Sequence, residues 1–164
     1  MSDPSRRPPH FQWIEEGKLA AFAFPSKAAH IRWLLDVAKI TNLVSLQAYP
    51  KPPLRGFERM KRLEIAIAEF QPPTREQSQL FCDLVDAAHE KNEAVGVHCT
   101  FGMGRTGTVI ASWLGRRYGL DWREAIDRLR SIRPWSIETW DQELSVRAFL
   151  TGEDLPTNSD DEAY

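Results

Sequence analysis

The stretch AVGVHCTFGMGRTGTVIASWLG, residues 94 to 115, decides how the rest of the chain is read. A short apolar run at 94–97 ends in His98-Cys99 and passes glycines at 102, 104 and 107. It then becomes a helix-like sequence beginning near Arg105. A buried strand, a tight loop and a helix follow from that order.

Outward from this unit, strand and helix patterns alternate. Upstream, KLAAFAF reads as a strand, SKAAHIRWLLDVAKI as a helix behind Pro25, and NLVSLQAY as a β-branched run of strand length. Prolines 50, 52 and 53 break the chain, EIAIAEF alternates over too few residues for a helix, and TREQSQLFCDLVDAAHEKNE has Thr74 placed to cap a helix. Downstream, 105–118, 121–132 and 136–150 all look helical. The expected fold is one compact α/β domain over residues 11–150, a central and mostly parallel sheet flanked by helices. The polar, proline-rich residues 1–10 read as a flexible N-terminal arm and the acidic residues 151–164 as a flexible tail.

With 164 residues the chain forms one domain, and 42% hydrophobic against 27% charged residues suits a soluble one. A net charge of -2 argues against a nucleic-acid or acidic-membrane partner, and the apolar runs fall short of the roughly 18 residues that span a bilayer. Two cysteines, Cys82 and Cys99, make no disulfide framework, and MSDPSRRPPHFQW lacks the pattern of a leader. A reducing compartment, the cytoplasm with the nucleus as a second address, is expected.

GMGRTG at 102–107 satisfies G-x-G-x-x-G, but a dinucleotide-binding unit next needs a strand ending in an acid, and residues 108–150 offer helices. No G-K-[ST] follows either. The whole loop is better used as H-C-x-x-G-x-x-R-T-G. A loop between strand end and helix start turns successive backbone N–H groups inward around a phosphate, and the helix dipole adds to it. Thr100, Phe101, Gly102, Met103, Gly104 and Arg105 would form that cradle, with Gly102, Gly104 and Gly107 permitting its curvature. The planar fork of Arg105 grips two phosphate oxygens. The same donors favour the thiolate of Cys99, and the Thr106 hydroxyl can donate to that sulfur. A thiolate on the floor of a phosphate cradle is a phosphoryl acceptor. The bland alternative is an inert buried cysteine at a strand end.

VHCTFGMGRTG resembles the signature of the cysteine-dependent protein tyrosine phosphatases. NLVSLQ, FQPP, EAVGVHC, GRTGT and RPWSIETWDQE extend the resemblance, over roughly 11–150, to the small atypical dual-specificity phosphatases. The resemblance implies a compact phosphatase fold, hydrolysis through a phosphocysteine without metal or cofactor, a shallow pocket, and phosphoprotein substrates carrying phosphotyrosine, phosphoserine or phosphothreonine. A monomer is expected.

The family places its general acid, an aspartate, in the loop that matches IAEFQPP, so the position falls to Glu69, one methylene longer. A solvated loop carboxylate is the alternative. Glu138 and Gln142 lie four apart, on one face of the expected helix, where by resemblance Glu138 assists proton transfer and Gln142 orients water. A capping acid and a surface amide would account for them equally. His98 is expected to orient the cysteine, Cys82 to pack in the core, and Phe101, Met103 and Trp135 to form an apolar rim suited to an aryl phosphate. No paired ligand spacing suggests a metal. Two other functions fit the same loop: hydrolysis of phosphoinositides or RNA 5′-phosphates, for which no cation lies between Cys99 and Arg105, and a scaffold that binds phosphoproteins without turnover.

Overall fold

A computed structural model describes residues 4–155. Among them, strands β1 (Gln12–Glu15), β2 (Leu19–Phe22), β3 (Ile40–Ser45), β4 (Lys61–Glu64) and β5 (Ala94–His98) form one sheet in the order β1-β2-β5-β3-β4. β2, β5, β3 and β4 run parallel, and β1 pairs antiparallel with β2. Helices α1 (Ala28–Asp36), α2 (Arg75–Glu90), α3 (Gly104–Tyr118), α4 (Trp122–Ile132) and α5 (Trp140–Thr151) complete the domain. The α/β fold with a mostly parallel central sheet is therefore present.

Alternation along the strands divides the core into two layers. Ala20, Phe22, Ile40 and Leu43 face α1 and its Ile31, Leu34 and Leu35. Leu19, Ala21, Val44, Val95 and Val97 face the other way, against Phe81 and Val85 of α2, Val109, Ile110 and Trp113 of α3, Leu129 of α4 and Val146 of α5. β5 is buried along its whole length because it is the middle strand covered on both faces. α3 is buried from Gly104 to Gly115, enclosed by α2, α4 and α5. The end of β5 and the start of α3 are thus the best-supported junction in the molecule, and open parallel sheets bind ligands at the carboxyl ends of such strands.

The structure moves several expected boundaries. β1 is an added edge strand whose register slips between Trp13 and Glu15. Of EIAIAEF only Glu64 belongs to a strand, as the last residue of β4; beyond it Ile65 and Ile67 donate N–H bonds to Ser45 O and Leu46 O. α5 begins at Trp140 rather than 136, because Thr139 caps it and accepts from Gln142 N. Part of the expected arm is built into the domain: Pro8 is buried and Ala23 N donates to Pro9 O at 2.8 Å. At the other end, Arg75 Nη2 donates to Glu153 O at 2.6 Å, which ties the first tail residues to α2; residues 156–164 lie outside the described range.

Candidate active site

Cys99 follows the last residue of β5 and is buried. Thr106 Oγ1, in the first turn of α3, donates to Cys99 Sγ at 3.1 Å. The loop between them is shaped by where its carbonyls go. Thr100 O accepts from Phe24 N at 3.1 Å, Gly102 O from Arg133 Nε at 3.0 Å, and Met103 O from Gly107 N at 2.9 Å and Ile137 N at 3.2 Å. Those carbonyls are held outward, and the backbone N–H groups of residues 100–105 donate in none of these bonds. The loop interior is therefore lined by free N–H groups at the positive end of a 15-residue helix, which suits a dianion.

Only Gly102 needs a left-handed conformation, with φ of +75°, and a side chain there would run into the backbone of Phe22 and Ala23. Gly104 and Gly107 do a different job from the curvature expected of them. A Cβ at Gly104 would meet Glu138 Oε1 and Gln142 Nε2, and one at Gly107 would lie 2.9 Å from Ser136 Cβ. These two glycines let the 136–142 segment close against the loop.

Arg105, almost fully buried, joins the two sides of the cleft. Its Nη1 donates to Ile67 O at 2.9 Å and its Nη2 to Thr100 Oγ1 at 3.1 Å, which leaves three of its five N–H groups for a ligand. Thr100 Oγ1 passes its own proton to Gln47 Oε1 at 3.0 Å, and Gln47 Nε2 in turn holds the carbonyls of Tyr49 and Pro50. A cleft of about 410 Å³ opens here, lined among others by Tyr49, Ile67, Glu69, Thr100 and Arg105. A hollow of about 450 Å³ among Glu15, Lys18, His89 and Tyr118 is larger, but it lies where β5 begins and holds no nucleophile.

Glu69 is exposed on the wall of that cleft, and its carboxylate makes no hydrogen bond or ion pair with the described residues. Glu138 is also brought to the loop, though not along a helix face as expected: it precedes the capping Thr139, and Oε1 reaches the Gly104 position from there. Gln142 is fully buried rather than a surface amide. Its Oε1 accepts from Glu138 N at 2.8 Å and Thr139 N at 3.2 Å, while Nε2 is buried without a partner beside Gly104. An unpaired buried donor facing a phosphate loop is suited to a water or a phosphate oxygen. Phe101, Trp135, Tyr49 and Phe70 are exposed aromatic side chains, Tyr49 on the cleft wall, and Met103 is half-buried.

His98 is enclosed, with its ring stacked on Phe22, and burial lowers its pKa to about 4. It is a neutral orienting group. Burial pushes the Cys82 thiol up to about 12, as suits a core residue. Among the described residues no group of three or more His, Cys, Asp and Glu is placed to hold a metal ion, and no helix is long and apolar enough to cross a membrane.

Sequence reasoning missed Arg133. Its Nε holds Gly102 O and its Nη1 donates to His10 O at 2.7 Å, so one guanidinium ties the phosphate loop to the N-terminal segment. Burial lowers its pKa, and the neighbouring Cys99 acts in the opposite sense. Gln47 was missed as well. Each is a polar side chain at the end of an apolar run, a weak signal that only a three-dimensional partner makes meaningful.

Comparison with known proteins agrees with this geometry. Tyrosine-protein phosphatase cdc-14 of Caenorhabditis elegans is 29% identical over 143 residues, which cover 77% of this chain and 19% of that protein. The chain therefore spans less than a fifth of that relative's length. The tyrosine-protein phosphatase of Autographa californica nuclear polyhedrosis virus is 42% identical over 62 residues, 37% of either chain. Among solved structures, the active form of Tk-PTP superimposes with a TM-score of 0.75 at 28% identity, covering 87% of this chain and 97% of that one. PTPMT1 in complex with PI(5)P superimposes with a TM-score of 0.78 at 16% identity over 87% and 96%, a likeness of fold. Residues 8–146 match the family described as PTP-SAK, the Swiss Army Knife DSP-PTPase phosphatase domain, and the chain belongs to that family of dual-specificity-type phosphatases.

Proposed function

We propose that the chain is a protein phosphatase hydrolysing phosphotyrosine, phosphoserine and phosphothreonine through a phosphocysteine. The observation that carries this reading is a cysteine sulfur held by Thr106 at the centre of a loop whose carbonyls face outward and whose N–H groups stay free. The thiolate of Cys99 attacks phosphorus, and the bond to the substrate oxygen breaks. That oxygen takes a proton from Glu69, on the cleft wall, with Glu138 as the nearby second carboxyl. Water then attacks the phosphocysteine, gives its proton to the same carboxylate, and the sulfur leaves as thiolate with release of phosphate. Gln142 Nε2 is the donor that orients this water. Cradle and Arg105 stabilise the equatorial oxygens in both transition states.

This substrate class is supported by the cleft. Its walls are exposed loops and carry the aromatic Tyr49, so a phenyl ring can stack there while the shorter serine and threonine esters still reach the loop. The absence of a cation between Cys99 and Arg105 weighs against phosphoinositides and RNA 5′-phosphates. Within its family, the likeness of NLVSLQ, FQPP and RPWSIETWDQE to dual-specificity phosphatase 23 supports a reading as a protein of that kind. A thiolate nucleophile suits a reducing compartment, the cytoplasm with the nucleus as a second address, and a monomer suffices for a site built from one chain.

The test is hydrolysis of an aryl phosphate in EDTA by the wild type and by Cys99→Ser, with vanadate as inhibitor. Activity that persists in EDTA and disappears with serine is expected. An inactive wild type that still binds vanadate would make the loop a phosphate-binding scaffold.

A further inference from the structure

A chain of hydrogen bonds runs from the edge of the sheet to the backbone of Cys99, and its direction can be worked out. Ser45, the last residue of β3, lies directly across the parallel sheet from His98, the last residue of β5. Ser45 Oγ is 2.7 Å from His98 Nε2. Arg62, on β4, donates from Nε to the same Ser45 Oγ at 2.9 Å. Beyond it, Arg62 Nη2 is paired with Glu64 Oε1 at 3.0 Å. At the other end, His98 Nδ1 lies 3.3 Å from Cys99 O.

Arginine can only donate, so Ser45 Oγ accepts from Arg62 and its single proton is free for His98 Nε2. Nε2 is then the acceptor of the ring, and Nδ1 carries the hydrogen. That hydrogen faces the Cys99 carbonyl. In the opposite tautomer the Nδ1 lone pair would face the carbonyl oxygen and repel it, and the Ser45 proton would be left buried without an acceptor. The ring has no easy escape by rotation, because Phe22 stacks on it with centroids 6.1 Å apart and Phe24 lies across it at 5.8 Å.

We infer that Ser45 and Arg62 are positioning residues for Cys99: they fix the tautomer of His98, which holds the Cys99 carbonyl and thereby aims the first N–H of the phosphate loop inward. The last step follows from the planar trans peptide, in which the Thr100 N–H points opposite to the Cys99 C=O. A carbonyl anchored on the His98 side sends the N–H toward the cradle. Thiolate and bound phosphate both benefit from that donor. The inference rests on Cys99 being the nucleophile, but its test reads the sulfur directly rather than turnover.

Arg62 from β4 and Arg105 from α3 both act on His98, and Cys99 acts on Arg133, at the end of α4. Two carboxylates border the path: Glu64, paired with Arg62, and Glu138, whose Oε1 reaches the loop at Gly104. The guanidiniums stay charged across the range tested and the carboxylates are the same in every variant, so a difference between variants reports the His98 contact at the sulfur.

The experiment is the pH dependence of Cys99 alkylation by iodoacetate, followed by mass spectrometry on the folded protein. Cys82 is buried, and Cys99→Ser measures its background. Ser45→Ala is expected to raise the midpoint by about half to one pH unit, roughly three- to tenfold less thiolate below it, the effect of one buried hydrogen bond. Arg62→Gln should shift it in the same direction and by less. His98→Asn supplies the control, since an asparagine Nδ2 can occupy the Nδ1 place and donate to Cys99 O without help from Ser45. Adding Ser45→Ala to His98→Asn should then move the midpoint no further. An unshifted midpoint in Ser45→Ala, or an equal shift in both backgrounds, would overturn the relay. A wild type that alkylates with these dependences but hydrolyses nothing would sink the proposed function and leave the relay standing.

Discussion

Thr100 and Arg105 of the loop 99–105 share one cleft with residues 66–69, yet the two loops are held in different ways. In the first, Cys99, Gly102, Gly104 and Arg105 are buried, and the carbonyls of Thr100, Gly102 and Met103 are fastened to three separate parts of the molecule. In the second, Ala66, Ala68, Glu69 and Phe70 are exposed. Buried Ile65 and Ile67 anchor the segment, along with Gln77 Nε2, which donates to Ala66 O at 3.0 Å. The rigid loop must present several donors at once to a developing charge, and preorganisation is what makes such donors effective. In the proposed mechanism the exposed loop delivers a single proton, for which reach matters more than rigidity. Arg105 is the link between them, through Ile67 O.

The contrast can be broken most severely at that link. Arg105→Lys keeps a positive charge but loses the fork that spans Ile67 O, Thr100 and a phosphate. kcat/KM for aryl phosphates should fall by about 10³-fold, on the scale of losing a preorganised oxyanion donor. A loss under tenfold in steady-state kinetics would mean that charge alone suffices and that the two loops need no common anchor.

A smaller and more selective effect is expected on the exposed side. Glu69→Ala should lower kcat by about 10²-fold for phenyl phosphate, a poor leaving group, and leave activated nitrophenyl-type esters nearly unchanged. Equal losses on both would move the acid role to Glu138. In that case proton delivery would come from the segment packed on the phosphate loop, and the division of labour between the two loops would fail.

The last effect is on stability rather than on rate, and it concerns the buried side alone. Because burial lowers His98 to about 4 from an ordinary 6.5, the unfolded chain takes up the proton first as the solution is acidified. Stability from this group should be intact above pH 6.5, decline by about 1.4 kcal/mol per pH unit below it, and level off near pH 4. His30, lowered by burial and by Lys27, adds in the same direction. Urea midpoints measured across this window should show the slope flattened in His98→Asn, and an unaltered slope would remove His98 from the buried neutral set.

The two loops also differed in how far they could be read before folding. Residues 98–107 were legible because thiolate, guanidinium, hydroxyl and glycines must sit at fixed spacing along the chain, and the strand–loop–helix context is itself local. Glu69 was found by resemblance, not by spacing. The relay residues Ser45 and Arg62, the bridging Gln47 and the clamp Arg133 gave no local signal. The partners that tie them to the site lie 17 to 123 positions away, and an isolated serine or arginine looks the same whether solvated or buried. The misplaced start of α5 was avoidable, since Thr139 followed three residues later by Gln142 is a capping-box pattern that excludes Glu138 from the helix. The edge strand β1 escaped because four residues with a register slip leave too little alternation to recognise.

The bond from Arg133 to His10 O ties the segment before β1 to the phosphate loop. A recombinant version trimmed to residue 11, where the sequence pattern would put the domain boundary, would lose that bond and the one from Ala23 N to Pro9 O while keeping every catalytic side chain. A fusion partner joined directly before Pro8 would press on the same junction. Activities compared between preparations of different N-terminal length would therefore differ at the phosphate loop itself, and assays meant to rank substrates should hold that end constant.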